Sequence, residues 1–136
     1  MRHSILTMVG IIFGTVGALF SHLNSIIVTL VIFMAIDFII GIIAASVFKV
    51  SKHGELGLDS KVCWKGVYKK AITLLICLMA SYFDQLLGTV FIHNAVAVGF
   101  IVSESISIIE NAGLIGIPVP AQLKEAIAIL KSQTKE

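Results

Sequence analysis

Charge is what this sequence has least of. Of its 136 residues only 13% are Asp, Glu, Lys or Arg, against about 25% in an average soluble domain, while 57% are hydrophobic. That shortage argues against a water-soluble fold. The formal charge of +2 is scattered through apolar sequence and leaves no electrostatic footprint for nucleic acid. Cysteine is also scarce. Cys63 and Cys77 are too few for a disulfide scaffold, and no second Cys or His stands at zinc-ligand spacing. Both are read as small reduced core or interface residues, and no metal or cofactor is expected. No Pro-, Gly- or Ser-rich linker and no internal repeat divides the chain, so a single unit is expected.

What is present is a series of apolar runs. A membrane helix needs about 20 such residues to cross a hydrocarbon core of roughly 30 Å. The runs at 5–23, 26–48, 71–91 and 94–109 predict an all-α integral membrane bundle of about four transmembrane helices within a transmembrane region at 1–111. The first run follows Arg2 and His3 as a signal sequence would, but it continues past signal length without a clean small-x-small cleavage site, so it is read as a span. Met8 offers a second start that would drop Arg2.

The spans are unequal. An apolar Leu, Ile, Phe or Val favours insertion by about 0.3 to 0.6 kcal/mol, whereas a central acid opposes it by roughly 2.5 to 3.5. The second run has 15 such residues against Asp37, and the fourth only eight against Glu104. The fourth span is therefore expected to depend on packing or on a protonated Glu104, and to be able to change state.

Orientation follows from the cations, because Lys and Arg in short loops stay in the cytoplasm. Residues 49–70 carry Lys49, Lys52, Lys61, Lys65, Lys69 and Lys70, while 21–25 and 92–94 carry no Lys or Arg. With four spans all ten cations fall inside, and both termini are expected to be cytoplasmic. Three spans would send three lysines outside.

Gly10, Gly14 and Ala18 recur every four residues, a ridge of small side chains that lets helix backbones approach, within a subunit or between subunits. Asp37, Gly41 and Ala45 share one stripe of the second span. Cys77, Ala80, Ser81, Asp84 and Gly88 share one of the third, and Glu104, Ser107, Ile108 and Asn111 one of the fourth. Polar stripes of this kind face protein. With no basic residue inside any predicted span, the three acids are expected to be neutral, hydrogen-bonded or in contact with water. A common water-lined lumen for Asp37, Asp84 and Glu104 is the simplest expectation.

Between spans two and three, Lys61, Lys65 and Lys69 lie four apart, with Trp64, Val67 and Tyr68 on another side, after an N-cap at Asp59 or Ser60. These residues, with Lys70, predict a short helix lying on the inner leaflet. Past Asn111 the chain turns through Gly113, Gly116, Pro118 and Pro120. A cytoplasmic tail at 112–136 is expected to end in an amphipathic helix with Leu123, Ala126, Ile127 and Leu130 on one face.

Two enzymatic or transport readings compete with a structural one. Asp37 and Asp84 in consecutive spans suggest an intramembrane aspartyl protease, but the Tyr-Asp and Gly-x-Gly-Asp motifs expected of one are absent, since Ile36 and Tyr82-Phe83 precede the two acids. A small proton or cation channel, or a transporter subunit, fits membrane-depth acids as relays or selectivity rings.

The segments DFIIGIIAA, SKVCWKGVYKK, FDQLLGT and SESISIIENAGLIGIPVP, in that order, resemble the toxin-secretion and phage-lysis holins of Gram-positive bacteria and their phages. The resemblance runs from Asp37 to Leu130 and is most specific between Glu104 and Pro120. Ile40 and Ser103 depart from it, standing where the family pattern would place Thr and Asn. The resemblance implies a non-enzymatic protein that accumulates in the host cytoplasmic membrane and associates with lipid and with itself. It further implies lesions through which an endolysin, or a toxin in some relatives, leaves the cell without a required direct contact.

Overall fold

A computed structural model describes residues 2–20, 25–51 and 58–133. They form five helices: α1 (Arg2–Phe20), α2 (Ser25–Ser46), α3 (Ser60–Leu87), α4 (Ile92–Leu114) and α5 (Ala121–Gln133). Among the described residues there is no strand. Helices are the natural outcome of this composition, because an apolar segment in lipid must satisfy every backbone N–H and C=O within itself. Three of them, α2, α3 and α4, are long and apolar enough to cross a membrane.

The chain marks its own helix ends. Asp59 caps α3, its side chain accepting the Lys61 N–H at 2.8 Å. Gly88 closes the same helix with φ 66°, a left-handed conformation that glycine adopts without Cβ strain. The turn expected after Asn111 begins at Ile115 and passes through Gly116, φ 80°, before Pro118 and Pro120 lead into α5.

Several boundaries differ from the sequence expectation. The lysine-bearing surface helix and the third span are one continuous helix of 28 residues, roughly 42 Å long. No proline interrupts residues 60–87 and the one interior glycine, Gly66, is tolerated, so a helix begun at Asp59 runs on into the apolar stretch. It ends at Leu87 rather than at 91, where Phe91 instead opens α4. Helix α4 continues to Leu114, beyond 109, which brings Asn111 into its last turns.

Helix α4 lies against α2, α3 and α5, whereas α2 and α3 meet only slightly. The span that composition makes weakest is thus the hub of the packing. Helices α2 and α4 run parallel and α3 antiparallel to both. Their apolar core joins Ile27, Leu30 and Met34 of α2, Cys77 of α3, and Ala97 and Ile101 of α4, with Leu30, Cys77 and Ala97 fully buried. On α2 the seam Ile27, Leu30, Met34, Asp37, Gly41 and Ala44 advances by three and four residues, the spacing of coiled-coil packing. Outward faces are apolar too, with Val28, Ile32 and Ile39 on α2 and Leu75, Met79 and Leu86 on α3 all exposed. The described side chains of α1 are exposed and none joins the core.

Candidate functional site

One turn beyond the apolar core the seams become ionic. Asp37 follows Met34 on α2, Glu104 follows Ile101 on α4, and Lys70 precedes Cys77 by two turns on α3. The Lys70 ammonium donates to Asp37 Oδ2 at 2.9 Å and to Glu104 Oε2 at 2.5 Å. The side chains are largely buried, at 19% exposure for Lys70, 12% for Asp37 and 15% for Glu104. Asn111 joins from α4, its Nδ2 donating to Asp37 Oδ1 at 3.1 Å. Gly41 faces the same amide, and a Cβ there would lie 3.5 Å from Asn111 Nδ2.

This overturns the expectation that the membrane acids have no cation to meet. Lys70 was assigned to the membrane surface because the surface helix and the span were read as separate. In the continuous α3 it leaves the exposed Lys61, Lys65 and Lys69 stripe and turns inward. Breaking such a buried pair by removing one partner is costly, on the order of 3–5 kcal/mol, because the remaining charge is left uncompensated. One lysine therefore ties three helices together where α2 and α3 otherwise barely touch. The signal was available: Cys63, Lys70, Cys77 and Asp84 recur every seven residues, so extending the polar stripe of the third span backwards reaches Lys70.

Asp84 is not brought to this cluster. It lies fourteen residues from Lys70, roughly 21 Å along α3, and serves the turn into α4. Its carboxylate accepts the Thr89 hydroxyl at 2.5 Å, the backbone N–H of Ile92 and His93 at 3.1 and 2.8 Å, and meets His93 Nδ1 at 2.5 Å. Phe91 supplies no side-chain cap of its own, so Asp84 caps α4 from the preceding helix. Within one subunit the three acids do not share a lumen, and Asp37 and Asp84 are not placed as an aspartyl dyad.

The other predicted residues fall in several places. Ser107 is half-buried on α4, while Ser105, which the sequence reading passed over, is buried and donates to the Ile101 carbonyl at 2.7 Å. Ala45 is buried on α2, next to Ala44 of the seam. Gly88 was expected to pack helices, but it forms the C-cap of α3 and a Cβ there would meet nothing within 4 Å. Gly10, Gly14 and Ala18 lie on exposed faces of α1, with open space around both glycines. Lys61, Trp64, Lys65, Tyr68 and Lys69 are exposed along the first turns of α3, with the Trp64 and Tyr68 rings 5.8 Å apart. On α5 only Ile127 is buried, and Leu123 remains 49% exposed. Lys52 and Lys135 lie outside the described residues.

The model of the bacteriophage holin family matches residues 14–132. The chain belongs to that family. An uncharacterised protein of Halalkalibacterium halodurans is 39% identical, over 80% of this chain and 78% of its own length. An uncharacterised protein of Listeria innocua is 36% identical, over 96% and 90%. A protein of Bacillus phage phi105 named a probable holin is 28% identical, over 74% of this chain and 70% of its own length. No solved structure matches. Family membership covers the segments that carried the resemblance and extends it back into α1. With three membrane-length helices, it makes this a membrane protein of the phage-lysis class.

Proposed function

We propose that the chain is a holin subunit which oligomerises in the bacterial cytoplasmic membrane and opens lesions that release an endolysin, or a toxin in some relatives, leading to lysis. The observation that carries this is the contrast between a closed three-helix unit and an uncovered fourth helix. In α2, α3 and α4 the polar groups satisfy one another around Lys70. Helix α1, apolar from Ile5 onward except at Thr7 and Thr15, leaves open space at Gly10 and Gly14. A ridge without a partner inside the subunit suits a second copy.

In this reading α1 is the fourth span, giving a transmembrane region at about residues 1–111 and a cytoplasmic tail at 112–136. The lysine-bearing end of the bundle and both termini face the cytoplasm, as the distribution of Lys and Arg favours. Lys61, Lys65 and Lys69, with Trp64 and Tyr68, rest at the inner leaflet, where cations meet anionic headgroups and aromatic rings the hydrocarbon boundary. Asp37, Glu104, Ser107 and Asn111 are the groups that would meet water if the bundle opened. Asp84 holds the α3–α4 turn. The endolysin needs only the opening and no docking site.

Induced expression in a bacterium that carries an endolysin in its cytoplasm tests this. Lysis that requires both proteins is expected. A cell that neither depolarises nor lyses would refute the holin reading, and one that leaks ions but retains its proteins would support the cation-channel reading instead.

A further inference from the structure

Toward the lysine-bearing end, α2 and α3 part around a cavity of about 120 Å³. Asp37, Lys70 and Asn111 line its inner end, Gly41 and Cys63 its walls, and Asp59 its outer part. One water needs only about 10–15 Å³ of such space, so several fit, and the carboxylate, ammonium and amide supply the polar partners that ordered water needs. On the far side of the trio the helices close, with Leu30, Cys77 and Ala97 at 0% exposure. Among the described residues, the charged and titratable groups facing the space are Asp37 from α2, Lys70 and Cys63 from α3, and Asp59 ahead of α3, with Glu104 of α4 beyond Lys70. Two carboxylates against one ammonium leave the trio with a surplus negative charge.

We propose that this cavity is a one-sided vestibule, which water and small monovalent cations enter from the lysine-bearing end and which stops at the Asp37–Lys70–Glu104 trio. The vestibule belongs to the single subunit, so it stands apart from whether subunits assemble into a lesion. It gives the buried ion pairs a water supply on one face of the membrane only, which lowers the cost of breaking and re-forming them there.

The test uses the full-length chain with Cys63→Ser and Gly41→Cys in sealed membrane vesicles of each orientation, orientation being read from a tag fused after Glu136. Silver ion, a small thiol-reactive cation, is applied in chloride-free buffer, and unreacted thiols are counted by maleimide mass shift after unfolding. The thiol of Gly41→Cys is expected to react from the tag-bearing side and not from the other, with Cys77 protected from both. Ala45→Cys reads the same cavity one turn away, in case Gly41→Cys displaces Asn111. Adding Asp37→Asn is expected to slow the silver reaction roughly tenfold, the effect of one unit charge a few ångströms away. Protection of both introduced thiols to the level of Cys77, or equal reaction from the two sides, would overturn the vestibule. A rate indifferent to Asp37→Asn would overturn its preference for cations.

Discussion

Lys70 is the residue on which the interior turns. It bonds Asp37 at 2.9 Å and Glu104 at 2.5 Å, so its removal leaves two buried carboxylates with no cation between them. Lys70→Met is expected to destabilise the bundle by about 3–5 kcal/mol, read as a lowered melting temperature in mild detergent. The triple variant Lys70→Met, Asp37→Asn, Glu104→Gln removes every charge of the trio and should recover most of that loss. A single variant that melts like the parent would show that the pairing carries no stability. Glu104→Gln alone leaves a neutral Lys70–Asp37 pair, so insertion should be retained while lysis is delayed or abolished. Unchanged lysis timing would remove Glu104 from the opening step. At the other end of α3, Asp84→Ala strips the cap from α4 and should cost about 1–2 kcal/mol in the same melting assay.

At the scale of helices, the apolar content of α2 and α4 was legible because it is a property of composition, and helix is the fold that lipid permits. The continuity of α3 was hidden because Lys61, Lys65 and Lys69 interrupt the hydropathy of a helix that they do not interrupt sterically. The sequence reading also took the three acids, each on the polar stripe of its own span, to share one lumen. Asp37 and Glu104 do come together, but Asp84 stands four turns away at a cap, a distinction that depends on which helix end the neighbouring backbone N–H groups occupy. The central place of α4 was equally hidden, since its packing rests on small residues such as Ala97 that add little to hydropathy. Ala97 is fully buried, so Ala97→Leu should overpack the α2–α4 seam and cost about 1–3 kcal/mol. Leu75→Ala, on the exposed face of α3, should change the melting temperature far less. Equal effects at the two positions would contradict the assigned faces.

At the scale of the whole molecule, membership of the bacteriophage holin family and the arrangement of the helices lead to the same account. Three helices form a unit whose ions are satisfied within it, and a fourth apolar helix carries an open ridge of small residues. In the proposed reading, assembly would be driven by surfaces that one subunit leaves uncovered. The most direct measurement is controlled expression in a bacterium with membrane potential and release of a protein-sized cytoplasmic marker recorded together. The account predicts that the potential collapses and the marker escapes in the same event. Collapse of the potential with the marker retained inside the cell would contradict it.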